Sequence, residues 1–217
     1  MSRKLPPTAS VADQRENGKL FAPAAARNAD AICTVLADHA PATGRALEIA
    51  SGTGQHVVAF ARALPDLRWH PTEIDPARRA SIDAHAAEAA LPNIAPAQQL
   101  DATEPGWAAR WPPVDLVVLV NLLHLVSEPE ARHILDGVAS ALVPGGVFVL
   151  YGPFRRSGTL TSDGDRRFDA ELRSADPLIG YKDDLAVADW LRNSGLEPGG
   201  VIEMPANNLA LVARKPV

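Results

Sequence analysis

The residues best placed to do chemistry form a glycine loop and a series of acids in chain order. Glu48-Ile-Ala-Ser-Gly-Thr-Gly54 carries two glycines, Gly52 and Gly54, that let the backbone turn sharply and approach a ligand closely. Glu73 follows in Pro71-Thr-Glu-Ile-Asp-Pro76, and a carboxylate there can accept both hydroxyls of a ribose. Asp101, in Gln98-Gln-Leu-Asp-Ala102, is set to accept a hydrogen bond from an adenine amino group. Asp75 directly precedes Pro76 and reads as a helix N-cap. Counted from Gly52, the third position of a Gly-x-Gly-x-x-Gly fingerprint is Val57, which disfavours a pyrophosphate. Singly, each acid reads as a loop or cap residue. In this order, they point to adenosine.

The elements that must hold these residues alternate in type. Ala46–Ala50, Leu67–His70, Asp115–Asn121 and Val147–Tyr151 read as strands, with a weak strand inside Ile94–Leu100. Helices are expected from Pro23 to about Ala40, over Gln55–Leu64 and Pro76–Ala90, from the capping box at Ser127 to Ala141, and over Asp184–Ser194. Leu142–Gly146 reads as a turn, and Val201–Met204 with Leu209–Ala213 as an antiparallel hairpin. Residues 1–22 read as a flexible N-terminal arm, or one ordered only by a partner or ligand. Residues 23–217 read as one domain, within which 152–182 is a loop insert without period, of the kind that forms lids and binding loops. Such alternation implies a parallel sheet with helices on both faces and a ligand at the strands' carboxyl ends.

Composition narrows the function classes. With 217 residues and a net charge of −5, the chain fits one domain and lacks the basic excess of a phosphate-gripping nucleic-acid binder. The single cysteine, Cys33, excludes an intrachain disulfide or a cysteine zinc site and fits a cytoplasmic protein. His39, His70, His85 and His133 show no metal-ligand spacing with nearby acids, so no metal is expected. The longest apolar run, Leu116–Val120, is too short to cross a bilayer, and the N-terminus lacks the apolar core of a secretory signal, so no membrane partner is expected.

The loop and acids resemble the class I S-adenosylmethionine-dependent methyltransferases. Glu48-x-x-x-Gly52-x-Gly54 looks like that family's first motif, Glu73 like its ribose-binding acid and Asp101 like its adenine-side acid. Val114–Asn121 looks like its fourth strand, and Leu142-Val-Pro-Gly-Gly146 like its turn before the fifth. The resemblance spans about residues 24–217 and implies a Rossmann-like α/β fold: a seven-stranded, mostly parallel sheet with an antiparallel last strand and helices on both faces. Ala50 departs from it, standing where the family usually has glycine. Pro23-Ala-Ala-Ala-Arg-Asn28, Glu48–His56, Tyr151-Gly-Pro-Phe154, Phe168-Asp169, Asp176-Pro177 and Pro205-Ala-Asn-Asn208 further resemble the methyltransferase-like 26 family. Gly164-Asp165 and Tyr181-Lys182 depart from that narrower pattern. The resemblance implies S-adenosylmethionine as cofactor and S-adenosylhomocysteine as product. Its cofactor contacts would be Arg27, Asn28, Glu48, Ala50, Ser51, Gly52, Gly54, Glu73, Ile74, Asp101, Ala102 and Asn121.

The sulfonium methyl is already activated, so positioning and desolvation carry much of such a reaction, and a base is needed only for a protonated acceptor. Asn121, His124 and Tyr151 are the catalytic candidates at the ends of the fourth and fifth strands. His124 reads either as a general base near neutral pH or as an anchor bonding backbone. Tyr151 reads either as an acceptor-pocket wall or as a rim aromatic packed on Phe154. Asp169, Asp176 and Asp183 suit steering of a cationic acceptor, or caps and turns. Of Asn207 and Asn208, one is expected at the pocket and one in the turn, and His56 reads as helix packing. The expected activity is methyl transfer to a small-molecule acceptor, with no nucleic-acid partner. The alternatives are a non-enzymatic cofactor-binding module and a nicotinamide-dependent oxidoreductase; Val57 and the Pro-Gly turn disfavour the second.

Overall fold

A computed structural model describes residues 5–217, apart from the side chain of Glu16. Two short strands come first, β1 (Asp13–Gln14) and β2 (Leu20–Phe21). Then follow α1 (Pro23–His39), β3 (Gly44–Ile49), α2 (Gln55–Ala63), β4 (Leu67–Pro71), α3 (Pro76–Ala89) and β5 (Val114–Val120). The chain continues through α4 (Glu128–Ala141), β6 (Leu142–Arg155), α5 (Asp163–Ala175), β7 (Lys182–Asp183), α6 (Asp184–Asn193), β8 (Glu197–Glu203) and β9 (Asn208–Arg214).

The main sheet has seven strands in the order β4-β3-β5-β6-β9-β8, with β7 pairing on β6. β4, β3, β5 and β6 are parallel neighbours, while β9 runs antiparallel to both β6 and β8. The centre is β5, whose Val-Asp-Leu-Val-Val-Leu-Val run is covered on both faces, so apolar residues fill it without alternation. Val117 and Leu119 enter a core closed by α4 and α6, through residues such as Ile134, Leu135, Val187 and Leu191. Leu116, Val118 and Val120 enter a second core closed by α1, α2 and α3, through Ile32, Leu36, Phe60 and Ile82. Helices thus cover both faces.

The ends of these elements follow from their residues. Ser127 caps α4 and exchanges bonds with Glu130, as a capping box should. Asp75 caps α3 by accepting N–H bonds from Ala77 at 2.7 Å and Arg78 at 3.2 Å.

Four segments depart from the sequence reading. Residues 5–22, expected as a flexible arm, carry β1, β2 and two 3-10 turns, and they bond to the domain. The Leu20 N–H donates to Ser81 Oγ, the Ala22 N–H to Gln55 Oε1, and His85 Nε2 bonds Leu20 O. Residues 1–4 of that arm lie outside the described part. The weak strand in Ile94–Leu100 is reduced to two isolated parallel bridges, Trp69 with Ile94 and Thr72 with Gln98. The expected turn at Leu142–Gly146 belongs to β6, where Gly145 takes φ +77° and bonds Lys215 O. The expected loop 152–182 holds the end of β6, all of α5 and the start of β7. Its helix starts at the cap Ser162, with Asp163 and Asp165 in the first turn.

Candidate functional site

The carboxyl ends of β3, β4, β5 and β6 open into one cavity of about 1660 Å³. Its glycine-loop side is built by backbone. After Ile49, Ala50 adopts φ +54° and Gly52 φ +60°, so the chain leaves the strand and folds back under the ligand space. The Ser51 N–H donates to Thr72 O at 2.8 Å and the Thr72 N–H to Glu48 O at 2.9 Å, which fastens the loop to the neighbouring strand. A side chain on Gly52 would meet nothing closer than Arg78 Nη1 at 3.6 Å, so the space beside it belongs to the cavity. Gly54 serves another purpose: a Cβ there would stand 2.6 Å from Ile82 Cα. Its bareness brings α3 against the loop, a role assigned in sequence to a ligand contact.

Glu73 is 6% exposed, and backbone N–H groups fix the position of its carboxyl group. Its Oε1 accepts the N–H groups of Ile74 at 2.8 Å and Asp75 at 3.2 Å, and its Oε2 accepts that of Gly52 at 3.1 Å. The acid and the glycine loop are therefore one unit. Asp101 Oδ1 accepts the Thr103 N–H at 2.9 Å and hydroxyl at 2.5 Å, which fixes this carboxylate on the cavity wall. Ile74 and Ala102 flank the two acids, and both line the cavity, as do Ala50 and Ser51.

Glu48 does not belong with these residues. It is 1% exposed, absent from the cavity wall, and its Oε2 has no hydrogen-bond partner among the described residues. Burial, with a smaller push from the Glu73 charge, raises its pKa to about 7, against the lowering effect of a bond to Ser51. The motif acid thus lies beneath the loop rather than at its ligand face.

Arg27 and Asn28, on α1, both reach the cavity. Arg27 is exposed on its rim. Asn28 is buried, and its Oδ1 bonds His56 Nε2 at 2.7 Å, while its side chain also bonds Tyr151. His56 stacks on Phe60 and lines the cavity, so it is both packing and wall. Burial lowers its pKa to about 4.

At the far side, Asn121 ends β5 with φ +55° and donates its N–H to Tyr151 O at 2.9 Å. Tyr151 is buried on the cavity wall in the α1-side core, on the sheet face opposite Phe154, so packing on Phe154 is not its role. His124 is 4% exposed, lines the cavity and meets Phe168 and Tyr181 edge-on. Burial, helped by the Lys182 charge, drives its pKa down to about 3, so it does not titrate near neutral pH as the sequence suggested. Its carbonyl, not its ring, serves as the anchor, accepting the Gly180 N–H at 3.0 Å.

Asp169 and Asp183 serve ion pairs and a helix cap, while Asp176 also faces the cavity. Asp169 accepts from Arg173 Nε at 2.8 Å, Arg155 Nη2 at 3.2 Å and the Tyr181 N–H at 2.7 Å. Asp183 caps α6. Asp176, on the cavity wall, accepts the Leu178 N–H. Asn208 lines the cavity while its amide bonds turn carbonyls, and Asn207 donates to Asp165. Sequence reasoning missed Arg78 and the segment 5–11. Arg78 Nη2 donates to Ser10 Oγ at 2.6 Å, and Thr8 Oγ1 donates to Glu171 Oε2 at 2.8 Å, so this segment crosses the cavity between α3 and α5. No local signal in a polar, proline-bearing stretch marks such a crossing. Among the described residues no group of three or more His, Cys, Asp or Glu could hold a metal ion, and no helix is long and apolar enough to cross a membrane.

A mixed seven-stranded sheet with an antiparallel last strand and a glycine loop beneath the cavity is the class I methyltransferase fold. The chain itself belongs to the family described as "Protein of unknown function (DUF938)", whose profile matches residues 19–215. Among solved structures it is similar to an O-methyltransferase family protein from Burkholderia thailandensis, with TM-score 0.75 and 17% identity over 89% of this chain and 56% of that one. Human N-acetylserotonin methyltransferase in complex with SAM gives TM-score 0.73 and 16% identity, over 89% of this chain and 53% of that one. CalO1, a methyltransferase in calicheamicin biosynthesis with SAH bound, gives 0.70 and 17%, over 89% and 54%. The chain spans about half the length of these proteins, and at such identity the likeness shows the fold.

Proposed function

We propose that the protein transfers a methyl group from S-adenosylmethionine to a small-molecule acceptor. The observation that carries this reading is Glu73: a carboxylate fastened to the backbone of the glycine loop itself, facing the same cavity as Asp101. Such a pair suits a ribose and an adenine presented side by side. The resemblance to the methyltransferase-like 26 family and the cofactors held by two of the similar structures support it. Gly52, Ser51 and Ala102 would bound the cofactor, with Arg27 in reach of its carboxylate. Asn121, His124 and Tyr151 would surround the methyl, and no side chain there titrates near pH 7, so catalysis rests on orientation and exclusion of water.

Calorimetric titration with S-adenosylhomocysteine tests the binding half. Saturable binding with a Kd on the order of micromolar, about −8 kcal/mol, is expected. Tight NADH binding without S-adenosylhomocysteine binding would replace the reading by nicotinamide chemistry. Incubation of a small-molecule extract with methyl-labelled cofactor tests transfer. Binding without any labelled product would leave a non-enzymatic cofactor-binding module.

A further inference from the structure

We infer that segment 5–11 is a hinged strap that closes over the nucleoside end of the cavity and opens for the cofactor to enter and leave. This rests on the cofactor reading above and names what regulates access to that site.

The strap has a fixed base. β1 and β2 pair as a hairpin, with Asp13 opposite Phe21 and Gln14 opposite Leu20, and the Arg15 guanidinium lies 4.9 Å from the centre of the Phe21 ring. Main-chain groups at the end of this hairpin fasten it to α2 and α3. The Leu20 N–H donates to Ser81 Oγ at 2.8 Å, the Ala22 N–H donates to Gln55 Oε1 at 2.6 Å, and Leu20 O meets His85 Nε2 at 2.9 Å. The Lys19 ammonium adds an ion pair with Glu88.

From Val11 toward the N-terminus the attachment changes in kind. The 3-10 turn Pro7–Ser10 buries none of its residues. Among the described residues, no backbone–backbone bond joins 5–11 to another segment. Side chains act as catches instead, at exposed sites. Thr8 Oγ1 donates to Glu171 Oε2 on α5 at 2.8 Å, and Arg78 Nη2 on α3 donates to Ser10 Oγ at 2.6 Å and to Ser10 O at 3.4 Å. Leu5 and Ala9 rest on the apolar cluster of Leu172, Ile179 and Tyr181. Exposed side-chain bonds exchange readily with water, so the strap is the part that can lift while the hairpin stays.

The α3 catch touches the cofactor end. Arg78 Nη1 lies 3.6 Å from where a Cβ on Gly52 would stand, so one guanidinium reaches from the glycine loop to the strap. Val11, next to Ser10, and Ile74, next to Glu73, both line the cavity, and each is 52% exposed. Apolar surface at these two points suits the faces of a flat base whose edge meets Asp101. The closed strap therefore gives the nucleoside a wall that the sheet does not provide. The same wall lies across the path of a ligand arriving beside the glycine loop, so entry and release require the catches to open.

Stopped-flow binding of S-adenosylhomocysteine tests this. In the double variant Thr8→Val/Ser10→Ala, which unfastens both catches, association and release should each quicken about fivefold, with Kd constant to within about twofold. The rates move together because the catches form with or without ligand. Val11→Ala should quicken release about fivefold, since its apolar contact is with the bound nucleoside. Unchanged association in the double variant would make 5–11 a fixed wall, and unchanged release in Val11→Ala would take the strap off the nucleoside; either result overturns the inference. Absence of S-adenosylhomocysteine binding in the unaltered protein would instead overturn the cofactor reading.

Discussion

The two sides of the cavity are built by different means. On the glycine-loop side the polar groups are fixed by main chain: Glu73 by three N–H donors, Asp101 by Thr103, Asp75 by the first turn of α3. On the aromatic side the wall is side chain against side chain, His124, Phe168 and Tyr181, drawn from three separate segments and bounded by a fourth. Backbone geometry specifies the first side closely, so it suits a ligand that never changes. Side-chain packing specifies the second, so exchange of a few residues alters what it admits.

The largest effect should come from acid on the aromatic side. His124 has a folded pKa near 3 against an ordinary 6.5, so its neutral form stabilises the protein fully above 6.5. That contribution falls as pH drops from 6.5 toward 3, by about 1.4 kcal/mol per unit. His124→Leu should remove about one proton from the pH dependence of unfolding in that window, read by urea titrations at several pH values. His56, with a folded pKa near 4, should leave a similar slope of its own. An unchanged slope would mean that the aromatic corner is open to water.

On the glycine-loop side, Gly54→Ala puts a Cβ 2.6 Å from Ile82 Cα at a φ of +95°. A loss of about 2–4 kcal/mol in chemical denaturation is expected, from overpacking and backbone strain together. A milder loss would mean that α3 and the loop move apart easily, contrary to the tight construction assigned to this side.

Glu73→Ala should weaken S-adenosylhomocysteine binding by about 1.5–3 kcal/mol, as for a lost bond to a charged group. Asp75→Ala should leave binding nearly intact and lower stability by about 0.5–2 kcal/mol. Calorimetry on the pair decides between them, and a larger binding loss in Asp75→Ala would exchange their roles. The smallest effect is expected at Ala50, whose φ of +54° suits glycine. Ala50→Gly should raise stability by a few tenths to about 1 kcal/mol, since relief of the left-handed strain exceeds the added chain entropy. A thermal melt that moves downward would show that the alanine methyl makes contacts worth more than its strain.

Much of the glycine-loop side was legible because its signals are local. A proline after Asp75 and a Ser-x-x-Glu at 127–130 each specify a helix start within four residues, and β5 declares its burial by composition. The aromatic side was not, because its parts meet only in three dimensions. α5 escaped notice since Gly164 sits in its first turn and its apolar points, Phe168 and Leu172, stand among seven charged residues. The segment 5–11 has no periodicity and gains its place from Arg78 and Glu171, residues far away in the chain. Glu48 was misplaced for a related reason: strand position told which end of the sheet it occupies, but its side-chain direction puts it under the loop.

Successive residues of β5 feed different cores, Val117 and Leu119 one, Leu116, Val118 and Val120 the other. Deletion or insertion of one residue inside that strand would therefore trade the contents of both cores at once. Directly after Val120 the alternation ends, at an asparagine with positive φ and a short turn through His124. Length can change there without disturbing either core. The architecture thus directs evolutionary change in chain length away from the sheet and into the turn that carries His124.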